Sequence, residues 1–184
     1  MQEIFLVGVR GGEDKVNNVD FSKVVKTDLY LASISEEGRK EFKEMLGEAR
    51  SELDFYDWCL DIFESYVGIF VAGVVGVFLF KIKPSSADID AWLWVVVGDL
   101  PPIYLTCDDS PNAACALDSY IGAMQEWVEA AENGDSVADI VPVNVPATKD
   151  NARKLKSRLI MLDERVLNLY EEDLKVENQW CQSR

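Results

Sequence analysis

The chain has 184 residues, with 33 acids against 18 bases and a formal charge of −15. That length suits one domain, and 48% hydrophobic residues can build a sizeable core, so wholesale disorder is excluded. The acidic balance argues against direct binding to nucleic acid or an anionic membrane, and the lack of any histidine removes Ser-His-Asp and Cys-His catalysis, histidine zinc motifs and a histidine pH switch.

The four cysteines, Cys59, Cys107, Cys115 and Cys181, form no C-x-x-C pair, so neither a zinc knuckle nor a thioredoxin-type site is expected. Met1-Gln2-Glu3 lacks the basic start of a signal peptide. The expectation is a cytoplasmic chain with reduced thiols and no cofactor.

In chain order, Ile4-Phe5-Leu6-Val7-Gly8-Val9 reads as a first strand stopped by Gly11-Gly12. Residues 27–32 (TDLYLA) alternate weakly and predict a second. Residues 1–34 form this strand region, a candidate extension of the domain. Ser33-Ile34-Ser35-Glu36 has capping-box spacing from Ser33. A long helix is expected after it, because Phe42, Leu46, Ala49, Leu53, Tyr56, Leu60, Phe63 and Val67 step by fours and threes. Residues 65–80 carry no charge. The run is shorter than the roughly 20 residues of a spanning helix, and its glycines among Val, Ile and Phe favour buried strand.

Strands are expected at residues 71–82 and 91–97, the second with both faces covered, and a third short strand at 103–106 after the Gly98-Asp99-Leu100-Pro101-Pro102 break. Ser110-Pro111 predicts a helix start, and Asn133-Gly134 its end. Residues 140–146 are extended, as an edge strand or a loop. Thr148 caps a last helix whose stripe is Leu155, Leu159, Leu162, Val166 and Leu169, and residues 175–184 read as a flexible tail. The fold class implied is α+β: a small, mostly antiparallel sheet packed by three amphipathic helices in a single domain.

Charge is uneven along the chain. Residues 84–148 contain no lysine or arginine but eleven acids, among them Asp88, Asp90, Asp99, Asp108, Asp109, Asp118, Glu126 and Glu129. The next stretch reverses sign with Lys149, Arg153, Lys154, Lys156 and Arg158. Two readings follow: internal neutralisation by those bases, or an acidic face kept for a cationic partner, which steers association.

Other chemistry is weaker. Asp99, Asp108 and Asp109 are strand-end and helix-start carboxylates that could hold a divalent metal, although turn and capping roles explain them equally. Cys107 and Cys115 flank a helix start but have acidic neighbours that oppose a thiolate. Gly8-x-x-Gly11-Gly12 lacks phosphate-loop spacing. Trp92 and Trp94 share a strand face, and with Tyr104 and Trp127 they are core residues or pocket walls.

The run Trp92-Leu93-Trp94-Val95-Val96-Val97-Gly98-Asp99-Leu100-Pro101-Pro102, with Pro142-Val143-Asn144-Val145-Pro146, resembles a bacterial domain family of uncharacterised function. The resemblance implies a bacterial, cytoplasmic protein and carries no activity or site. The residues themselves favour a non-catalytic acidic protein-binding module, similar in character to immunity or inhibitor proteins that block a basic toxin or nuclease. The alternatives are a divalent-metal enzyme or small-ligand binder on Asp99, Asp108 and Asp109, and an acidic nucleic-acid mimic. Oligomeric state is not legible.

Overall fold

Charged, helix-favouring residues precede a long run of Val, Ile, Phe and Trp, and the chain follows that change of composition from helix into sheet. A computed structural model describes residues 19–108 and 110–175. Its elements are a 3-10 turn at Phe21–Lys23, β1 (Val25–Lys26), α1 (Thr27–Ser33), α2 (Glu36–Asp54), β2 (Cys59–Val71), β3 (Val75–Pro84), β4 (Trp92–Gly98), β5 (Ile103–Thr106), α3 (Ala113–Asn133), α4 (Lys149–Arg165) and a 3-10 turn at Leu167–Tyr170. The fold is α+β, with one antiparallel sheet in the order β1-β2-β3-β4-β5. The chain divides into two compact units, Met1–Ala116 and Leu117–Arg184, at a point inside α3 that no linker composition marks. The expected strand at residues 4–9, the glycines at 8, 11 and 12, and residues 176–184 of the expected tail lie outside the described residues.

In the first unit, the side chains of α2 decide the packing. Phe42, Met45, Ala49 and Leu53 fall on one face of the helix and are buried, as their spacing requires. They meet Phe78, Phe80 and Ile82 of β3 and Leu93, Val95 and Val97 of β4 in one apolar cluster. Those strand residues alternate, so Val77, Leu79, Trp94 and Val96 point to the other face, where they too are buried. Each such side chain contributes about 1.5–3 kcal/mol on leaving water. Both faces of β4 are covered, as its unbroken apolar run implies.

Two expectations about this unit are corrected. Residues 27–33 are helix, not strand: Tyr30 and Ile34, four apart, pack on the α2 core, and Tyr30 meets Phe42 with ring centres 4.9 Å apart. The long helix is also shorter than its stripe. It stops at Asp54, and residues 59–71 are β2. The N-cap is Ser35 rather than Ser33, its hydroxyl accepting from the Gly38 N–H. The uncharged run 65–80 is most of the β2–β3 hairpin, turning through residues 72–74. No helix among the described residues is long and apolar enough to cross a membrane.

In the second unit, α3 closes as expected. Gly134 adopts φ +80°, and the Asp135 N–H donates to the Ala130 carbonyl, which is the geometry of a left-handed helix end. Thr148 caps α4 through the Asn151 N–H at 3.2 Å. Leu155, Leu159, Leu162 and Val166 are buried, but Leu169 is 77% exposed because the chain tightens into a 3-10 turn after Arg165. Residues 140–146 form loop, not strand.

Candidate functional site

The expected acidic residues are divided by the fold. Asp88 and Asp90 lie in the β3–β4 connection, Asp99 in the β4–β5 turn, and Asp108 just after β5. Asp118, Glu126 and Glu129 lie on α3 in the second unit. Asp109 lies outside the described residues.

Asp99 and Asp108 are not brought together. The Asp99 N–H donates to the Val74 carbonyl at the β2–β3 turn, whereas Asp108 follows Cys107, whose thiol donates to the Trp92 carbonyl at the start of β4. The seven residues of β4 separate these ends by about 23 Å at the usual strand rise. The metal reading therefore loses its ligand set, and no group of metal-ligating side chains assembles among the described residues.

What does assemble is an acidic end of the first unit. The Ser85 N–H donates to the Trp58 carbonyl, and Cys59 pairs with Pro84 and Asp61 with Lys83. The end of α2, the start of β2 and the β3–β4 connection are thereby joined. Asp54 and Asp61 both act on the Cys59 thiol, which burial and these two charges raise. Asp90 and Asp108 act on Cys107, which burial above all drives far above the usual thiol range. Glu52, Asp54, Asp57, Asp61, Asp88, Asp90 and Asp108 lie in or beside these segments, and so do the bases Lys81 and Lys83.

An aromatic group sits within it. Tyr56 stacks on Trp58 with ring centres 5.1 Å apart, and Tyr104 of β5 meets both edge-on at 5.1 Å. The Tyr56 hydroxyl donates to the Glu52 carboxylate at 3.2 Å. Burial raises the Glu52 carboxyl above the ordinary range, and the Tyr56 hydrogen bond opposes that rise. The Trp58 indole N–H is buried without a hydrogen-bond partner among the described residues.

Glu52, Asp54, Asp57 and Asp61 escape the sequence reading, which gives this stretch to the long helix and so to an ordinary solvated face. Tyr104 is half-buried beside Tyr56 and Trp58 rather than being part of an indole group with Trp92 and Trp94. Trp94 is core, its N–H satisfied by the Ser110 carbonyl at 2.8 Å.

Cations gather elsewhere on the sheet. Glu64 of β2 takes Lys26 at 3.3 Å and Lys81 at 3.6 Å and accepts from the Tyr66 hydroxyl at 2.7 Å. The Tyr66 hydrogen bond, followed by that of Lys26, pulls the Glu64 carboxyl below its usual range. In the second unit Lys156 reaches Glu132 at 2.9 Å, and Arg153 holds Asp150 of its own helix. Internal neutralisation thus reaches the acid-only stretch at Glu132.

No protein-family model, no curated protein and no solved structure matches the chain.

Proposed function

We propose that the chain is a non-catalytic, acidic protein-binding module whose partner is a basic protein, of the kind in which a small inhibitor or immunity protein covers a cationic toxin or nuclease. The observation that carries this reading is the acidic end of the first unit, where Asp54, Asp57, Asp61 and Asp88 lie in segments joined by the Ser85–Trp58 hydrogen bond and the β2–β3 pairing, together with the exposed Phe55 and the half-buried Tyr56. A surplus of charge of one sign raises encounter rates with an opposite charge, and aromatic residues supply the anchoring area. Phe55, at the end of α2, is 72% exposed, and Leu60 on β2 is 57% exposed, which adds apolar surface beside the carboxylates.

The test compares two charge-matched variants. One carries Asp57→Asn, Asp61→Asn, Asp88→Asn and Asp90→Asn. The other carries Glu37→Gln, Glu41→Gln, Glu44→Gln and Glu48→Gln on the exposed side of α2. Capture of one defined basic protein from the cytosol of the source cell at low salt is expected with the wild type and the α2 variant, and is expected to fail with the first variant. Equal loss in both variants, or no basic partner at all, overturns the reading.

A further inference from the structure

We infer that Glu52, set among Tyr56, Trp58 and Tyr104, is the receptor for a single arginine side chain of the basic partner. This rests on the reading of the acidic end as a partner-binding face and names its anchor point.

Three observations meet there. Glu52 is a half-buried carboxylate on which no lysine or arginine among the described residues acts; it is shaped by burial and by the Tyr56 hydroxyl, which donates to it. A carboxylate drawn out of water without a counter-charge is costly in the free protein and is repaid when a cation arrives. The rings around it suit that cation. Tyr56 and Tyr104 are each partly exposed and lie 5.1 Å apart, centre to centre. A guanidinium is planar, stacks on aromatic faces and pairs two oxygens of one carboxylate, which an ammonium does not do.

The third observation is the support behind the rings. The Trp58 indole is 8% exposed and lies in ring contact with both tyrosines, so a buried wall holds Tyr56 and Tyr104 beside the carboxylate before any cation arrives. A preorganised pair of rings favours a planar, stacking cation over a simple inorganic one.

The experiment titrates the full chain, by calorimetry at low salt, with a tetra-arginine peptide, a tetra-lysine peptide and the uncharged isosteric tetra-citrulline peptide. Tetra-arginine is expected to bind most tightly and tetra-citrulline not measurably. Glu52→Gln is expected to weaken tetra-arginine about tenfold, the size of one charge-assisted pair at a partly buried site. Tyr104→Leu should weaken it several-fold, and Tyr104→Phe, which keeps the ring, should not. Thermal melting of each variant establishes that it is folded. Binding by Glu52→Gln within about twofold of wild type, with the four-asparagine variant still impaired, overturns the arginine receptor and leaves the acidic face standing. Equal affinity for tetra-lysine also overturns the arginine receptor. Failure of wild type to bind either cationic peptide overturns both.

Discussion

Glu52 sets stability against recognition within one side chain. Burial lifts its carboxyl above the usual range, with the Tyr56 hydrogen bond opposing, so the folded chain holds that proton more tightly than the unfolded chain does. The sign follows. Stability rises as pH falls from neutral through the raised value, and at pH 7 the ionised form costs stability. Glu52→Gln is therefore expected to stabilise the protein at pH 7 by about 0.5 kcal/mol, a figure reduced for solvent screening at a half-exposed group. The gain should vanish below about pH 4, where the wild-type carboxyl is also protonated. Urea unfolding at both pH values checks it, and a loss of stability at pH 7 would show that the Tyr56 hydrogen bond outweighs burial. Cys107 makes the opposite case, a reactive group made inert. It is 9% exposed, and its thiol is raised chiefly by burial, then by Asp90 and Asp108. Since the thiolate is the nucleophile, alkylation at Cys107, followed residue by residue by mass spectrometry at pH 8, should proceed only at the rate of unfolding. The acids opposing Cys107 were legible from the sequence in the case of Asp108, which adjoins it. Asp90 was not, because only the β4–β5 pairing brings it near.

At the scale of elements, β2 shows why a clean pattern misleads. Leu60, Phe63 and Gly68 are extra residues in its pairing with β3, and each bulge adds one residue to the strict alternation of a strand. Leu60 and Phe63, two of these bulge residues, are more than half exposed, yet with Tyr56 and Val67 they step by four, three and four, which a reader of periodicity takes for a helix. Composition held the better signal: the residues of α2 are rich in Glu, Lys and Arg, whereas those of β2 are β-branched and aromatic. α1 was misread for the converse reason, since seven residues are too few to show a helical period. The helix stripes of α3 and α4, the β4 and β5 strands and the break between them were legible, because caps, glycine and proline punctuate them. Gly98 marks that break physically. It sits at φ +139°, and a Cβ there would lie 2.2 Å from the Val74 carbonyl oxygen. Strain and overlap with backbone act together, so Gly98→Ala is expected to destabilise the protein by about 2–4 kcal/mol. Chemical denaturation measures it, and a cost under about 1 kcal/mol would mean that the β2–β3 turn yields.

For the molecule as a whole, the question is whether its charge is tied up or left as a field. With a formal charge of −15, self-repulsion works against the compact state. The ion pairs at Glu64, Glu132 and Glu44 are solvent-facing. Lys26 and Lys81 on Glu64, Lys156 on Glu132 and Lys40 on Glu44 all have lysine side chains at least 40% exposed. Pairs of that kind contribute about 0–1 kcal/mol each. Repulsion among the remaining carboxylates should outweigh them, and added salt screens both, with a Debye length that shrinks from about 20 Å to about 4 Å between 20 and 500 mM. The melting temperature is therefore expected to rise by several degrees over that range of sodium chloride at pH 7, in the protein that loses its cationic peptide over the same range. The two effects share one origin, since a carboxylate left unpaired for a partner is also one that repels its neighbours while the partner is absent. A melting temperature that falls with salt would mean that the protein's own bases already hold its acids, and would remove the physical ground for a cationic partner.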